Sequence, residues 1–159
     1  MSSQENNLVV ISEAFMHGGA IPKKYTCDGE NINPPLAVEG IQADAISIVV
    51  IMEDPDVPKN VRADGMWNHW IVFDIGANGD ELVIAEGEKI EGIYGKNTSG
   101  INAYGGPCPP DREHRYFFRV YTLDCILKLP EGSTKSEVLD AMNGHVLQET
   151  VLMGVYDRS

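Results

Sequence analysis

The apolar positions of this chain fall in short runs separated by Gly and Pro, and most runs carry the pattern of strands. Residues 8–15 read as a first strand, which Gly18-Gly19 and Pro22 break. Residues 25–36, YTCDGENINPPL, carry Asp28-Gly29 and Pro34-Pro35 and read as an ordered loop with turns. Residues 46–52 are almost continuously apolar and β-branched, as in a strand covered on both faces. Pro55 ends that run, because its ring removes the N–H that a ladder needs, and leaves Asp54 and Asp56 at the strand mouth.

Residues 60–65 are a polar excursion. Residues 67–75, WNHWIVFDI, are again strand-like, with His69 set among large apolar side chains. Residues 82–85 suit a short strand, and residues 87–95 read as loop. A Gly/Pro-rich loop (Gly105, Gly106, Pro107, Pro109, Pro110) then enters a strand from His114 to Leu123. Alternation along that strand places His114 and Tyr116 on one face and Arg115 on the other.

The helical signal comes late. Thr134-x-x-Glu137 is a capping box, Val138, Leu139 and Met142 form an apolar stripe, and Gly144 marks the stop. Residues 145–148 extend this as a short turn, and residues 150–156 close the chain as a strand. The expected fold is mainly β: one domain over residues 1–159, with one or two helices near the C-terminus.

Composition changes this picture little. At 159 residues and 43% hydrophobic content, the chain is long enough for one proper core. No apolar run approaches the roughly 20 residues that span a bilayer, and the polar start lacks the pattern of a secretory signal. The formal net charge of -12 repels phosphate backbones and anionic lipid surfaces, and Lys23-Lys24 is a pair rather than a basic patch. Nucleic acid is therefore not an expected partner, and stable membrane insertion is not expected. Cys27, Cys108 and Cys125 are too few and too odd in number for a disulfide framework, which points to a reducing cytoplasm.

The candidate chemistry is a combination: two acids at a strand end, one His on a neighbouring apolar strand, and a His/Tyr pair after a stiff loop. Taken singly, each has a plain structural reading as turn or core. Cys108 near His114 suggests a nucleophile pair, but no third orienting group is evident, so a turn-filling role is favoured. Asp54, Asp56, His69 and His114 match no metal-ligand spacing. Asn97-Thr98-Ser99 fits a glycosylation sequon and reads as incidental.

The segments IPKKYTCDGENINPPL, MEDPDVP, WNHWIVFDI and YGGPCPPDREHRYFFRVYTLD together resemble the phosphatidylethanolamine-binding proteins, in their prokaryotic, Raf-kinase-inhibitor-like branch. One departure is Val38, where related prokaryotic chains often carry Trp. The stretch between Asp56 and Trp67 also lacks the basic residues of some animal members, which weakens any expectation of a kinase partner. The resemblance implies a large central antiparallel sheet packed on a smaller one. It also implies a small anion pocket lined by Asp54, Asp56, His69, Gly106, Pro107, His114 and Tyr116, taking phosphate-like groups such as a phosphorylethanolamine head.

The expected function is thus non-enzymatic binding, with no cofactor, and regulation of a protein partner as an output. Serine proteinase inhibition, which the family allows for some members, is the alternative, and a homodimer is the expected assembly. Two carboxylates are odd partners for phosphate, since like charges in a small site cannot all stay ionised. The expected remedy is protonation of His69 and His114, helped by backbone N–H groups of Gly105-Gly106 and by Tyr116. Affinity should then fall as pH rises through the histidine range.

Overall fold

The structure is a computed structural model that describes residues 6–158. Among these residues, eight strands form two antiparallel sheets. The smaller has the order β1 (Val9–Ile11), β2 (Leu36–Glu39), β5 (Glu81–Ile84). The larger has the order β6 (Ile93–Tyr94), β4 (Trp67–Gly76), β3 (Ser47–Asp54), β7 (His114–Leu123), β8 (Val146–Tyr156). The single α-helix among the described residues, α1 (Lys135–Met142), lies against the outer face of the larger sheet.

The apolar pattern explains this stacking. Strand β3 is buried at every position. Its residues Ile48, Val50 and Met52 face the smaller sheet, in one cluster with Val38, Ile84, Trp70, Phe118 and Val120. Its alternate residues Val49 and Ile51 face α1, with Ile71, Phe73, Val138 and Met142. Glu53 fastens the helix: its carboxylate accepts from Lys135 Nζ at 2.7 Å and from Arg119 Nε at 3.0 Å. Burial raises the Glu53 pKa, but the Lys135 and Arg119 bonds outweigh it and hold the carboxyl below its ordinary value.

The capping box forms as expected, with Thr134 Oγ1 accepting from Glu137 N at 3.2 Å and Glu137 Oε1 accepting from Thr134 N at 2.9 Å. The stripe is narrower than expected, because Leu139 is exposed while Val138 and Met142 are buried. Four further expectations need correction. The first strand stops at Ile11, where Ser12 Oγ captures Ala14 N at 3.1 Å and turns the chain. Residues 36–39, directly after Pro34-Pro35, form strand β2, and Ile93–Tyr94 forms β6 within a stretch that reads as loop. Both are too short to show a period. The closing strand begins at Val146, because Gly144 at φ 86° completes the turn by itself. No described helix is long and apolar enough to cross a membrane.

Cys27 and Cys108 form a disulfide across a sequence separation of 81, leaving Cys125 free. The expectation of unpaired cysteines is corrected, and the inference from cysteine count to a reducing compartment loses its premise. Spacing in the chain gave no sign of this pair, since two loops bring it together.

Candidate functional site

A cavity of about 420 Å³ opens where the ends of β3, β4 and β7 meet two loops, residues 25–36 and 97–111. The resemblance to known pockets implied seven lining residues. Asp54, His69, Gly106, His114 and Tyr116 line this cavity. Asp56 and Pro107 are not among its lining residues.

Asp56 is turned to Arg115. Its Oδ1 accepts from Arg115 Nη2 at 2.7 Å, and its Oδ2 accepts from Arg115 Nε and from Arg115 N, each at 2.9 Å. The Arg115 bonds hold the Asp56 carboxyl below its ordinary value. Pro107 supplies a carbonyl to Cys27 N at 3.1 Å, which laces the two loops together beside the disulfide. Tyr104 Oη adds a bond to Tyr25 O at 2.8 Å. Gly106 sits where these loops touch: a Cβ there would lie 2.3 Å from Tyr25 O and 2.6 Å from Asn31 Oδ1. Only glycine fits that approach.

His69 and Gly105 exchange two bonds. Gly105 N donates to His69 O at 2.9 Å, and His69 Nδ1 lies 2.7 Å from Gly105 O. A carbonyl only accepts, so Nδ1 carries the proton and Nε2 presents a lone pair. That Nε2 is buried without a hydrogen-bond partner. Burial lowers the His69 pKa to about 4, which keeps the ring neutral at neutral pH. The expected cationic His69 is therefore corrected to a neutral acceptor.

Tyr116 Oη is the second buried polar atom on this wall that makes no well-formed hydrogen bond, although the Asp54 carboxylate lies close by. Burial, with the charge of nearby Asp54, pushes its pKa well up, so the phenol stays a donor. His69 and Tyr116 meet edge to face with ring centroids 5.4 Å apart.

His114 is fully buried and sits between two carboxyl groups, with Nδ1 2.6 Å from Asp54 Oδ2 and Nε2 2.7 Å from Asp111 Oδ1. Both ring nitrogens are thus committed. Asp54 Oδ1 also accepts from Asp56 N at 2.7 Å, the short turn that Pro55 permits. Burial raises the Asp54 pKa, and the His114 bond only partly opposes it. Asp111 was absent from the expected set. Its signal was its place three residues before His114, but an exposed loop aspartate has many plain readings.

The Gly105-Gly106 backbone is not a free anion nest, contrary to expectation. Gly105 N serves His69 O, and Gly106 N donates to Asn31 Oδ1 at 2.8 Å. No described residue lining the cavity is Lys or Arg. Around the polar floor stands an apolar collar that includes Val57, Val61, Trp67, Ile101 and Pro109. The nucleophile reading of Cys108 is removed by its disulfide and by the commitment of both His114 nitrogens. The four-donor metal reading fails because Asp56 is spent on Arg115. Asn97 is buried, donating from Nδ2 to Ala103 O at 2.9 Å and accepting at Oδ1 from Ile101 N at 3.1 Å, so its amide is a loop brace.

Two packed antiparallel sheets with a small, mostly apolar cavity on a polar floor at the ends of the central strands define a ligand-binding β protein. The chain belongs to the phosphatidylethanolamine-binding protein family, whose sequence profile matches residues 11–157. A UPF0098 protein of Chlamydia muridarum is 49% identical over 147 residues, covering 92% of this chain and 97% of that one. A UPF0098 protein of Methanothermobacter thermautotrophicus is 46% identical over 151 residues, covering 92% and 97%. Among solved structures, a phosphatidylethanolamine-binding protein homolog of Chlamydia trachomatis, CT736, superimposes with a TM-score of 0.92 at 46% identity, covering 98% of this chain and 100% of that one. YbcL of Escherichia coli, described as a member of the mammalian PEBP family, does so with a TM-score of 0.81 at 25% identity, covering 96% and 99%. These relatives place the chain in the prokaryotic branch.

Proposed function

We propose that the cavity binds, without transforming, a small phosphate-type group that still carries one proton. The observation that carries this reading is the pair of unpartnered polar atoms on its floor, His69 Nε2 and Tyr116 Oη. One is an acceptor and the other a donor. A monoanionic phosphate monoester offers both complements, a P–OH for the imidazole and an oxygen for the phenol. The dianion has no proton to give His69 and meets Asp54 with no Lys or Arg in the described lining. A phosphorylethanolamine head suits the same floor, with its ammonium available to Asp54. The apolar collar leaves room for the substituent beyond the phosphate.

The test is calorimetry with phosphorylethanolamine and with inorganic phosphate from pH 5 to 8.5. Affinity falls as pH rises through the second phosphate ionisation, about 6 for a monoester. The direction matches the histidine expectation, but the proton that matters is the ligand's. Affinity constant or rising across that range overturns the reading. Tyr116→Phe weakens binding at least about tenfold, because a hydrogen bond to a charged group contributes about 1.5–3 kcal/mol.

Proteinase inhibition is a second reading, favoured by the cross-tied loop that presents Pro110, Asp111 and Arg112 at the surface. Loss of chymotrypsin-like activity at micromolar protein supports it, and unchanged activity removes it.

A further inference from the structure

At the opposite end of β7 from the cavity, about 30 Å away by strand length, three different donor types converge. Asp124, Cys125 and His145 each offer a ligand atom, and these atoms lie within 4.8 Å of one another. Among the described residues this is the one such group. We propose that it is a binding site for a divalent transition-metal ion of the zinc type, held by the Cys125 thiolate, the His145 imidazole and an Asp124 carboxylate oxygen.

The backbone positions the three before any ion arrives. Asp124 N donates to His145 O at 3.0 Å, which ties the end of β7 to the start of β8. The buried Ser47 hydroxyl donates to Cys125 O at 2.6 Å. His145 N donates to Met142 O at 2.9 Å, and Gly144 takes the positive φ of 86° that swings His145 toward the strand end. The side chains already point at one another, with His145 Nδ1 2.8 Å from Asp124 Oδ1. Tetrahedral coordination, with metal–sulfur near 2.3 Å and metal–nitrogen or –oxygen near 2.0–2.1 Å, needs donors roughly 3.3–3.6 Å apart. The His–Asp pair therefore opens by about half an ångström to admit the ion.

The charges balance. Thiolate and carboxylate together neutralise the dication, and the imidazole binds neutral. On binding, the Cys125 S–H bond breaks, its proton leaves to solvent and a sulfur–metal bond forms, with no change of oxidation state. Asp74 stands nearby, its own oxygens accepting from Leu127 N at 2.7 Å and Lys128 N at 3.0 Å. The side chains of Asp124 and His145 are 48% and 45% exposed, so the ion has open access and a fourth position for water.

The experiment is cobalt(II) titration of tag-free, non-reduced protein, read by absorption. With Cys27 and Cys108 joined, Cys125 is the one cysteine free to give a thiolate band. A near-ultraviolet thiolate-to-cobalt band is expected, with intense visible bands of four-coordination, both erased by one equivalent of zinc. Cys125→Ser removes the thiolate band, and His145→Ala weakens cobalt at least about tenfold, the loss that even an outer-shell partner causes. Circular dichroism confirms that each variant is folded, and either variant alone decides. No thiolate band at millimolar cobalt, or a band unchanged in His145→Ala, overturns the proposal. Because the site is remote from the cavity, phosphate binding is unaffected in both variants.

Discussion

At the scale of single residues, His69 and Gly106 do the most to set the site. His69 contributes a pH dependence whose sign follows from its lowered pKa. The unfolded ring takes up a proton near 6.5, and the folded one only near about 4. Its contribution is thus present above 6.5 and is lost as pH falls toward 4, on the order of 3 kcal/mol in all. Urea denaturation at pH 7 and pH 4.5 should show this loss, and His69→Gln should flatten that part of the profile. Gly106→Ala should destabilise by about 2–3 kcal/mol, measured the same way, because its new methyl meets the rigid Tyr25 carbonyl and Thr26 backbone as well as Asn31 Oδ1. Much of this wall was legible in the sequence: the strand mouth at Asp54, the His114/Tyr116 alternation and the stiff loop all carry local rules. What was not legible depends on contacts across the chain. Asn31 satisfying Gly106, Arg115 claiming Asp56, and Gly105 fixing the His69 tautomer have no signature in spacing.

At the scale of elements, strength of pattern decided what was readable. The long strands β3, β4 and β7 announce themselves because eight to ten positions repeat one rule. Strands β2 and β6, of four and two residues, exist because a neighbour supplies the ladder: Val38 pairs with Leu82, and Ile93 with Phe73. The helix was readable from its cap, a reciprocal pair within four residues. Thr134→Ala should cost about 1 kcal/mol by thermal denaturation, the usual loss for an N-cap. Thr134→Ser should cost much less, since the accepting oxygen remains.

At the scale of the whole molecule, the Cys27–Cys108 bridge joins the two loops that frame the cavity, and both cysteines lie in its lining. Closing a loop of this length contributes about 4.5 kcal/mol in the chain-entropy account. Replacing both cysteines by serine should lower the free energy of unfolding by that order and weaken phosphorylethanolamine binding. Three loop-to-loop hydrogen bonds remain, from Cys27 N, Tyr104 Oη and Gly106 N, so binding should be reduced rather than abolished. Calorimetry on the double variant beside the dithiol-reduced native chain checks this, and agreement between the two is expected.

The burial of β3 on both faces also sets a timetable. Its partner β7 begins 60 residues after Asp54, which at roughly 5–20 residues per second is several seconds of synthesis. For most of that interval the most apolar strand of the nascent chain has one ladder partner, β4, and an open edge where β7 will pair. A polypeptide halted before His114 should therefore be captured by chaperones or precipitate, while one released after Tyr156 should fold.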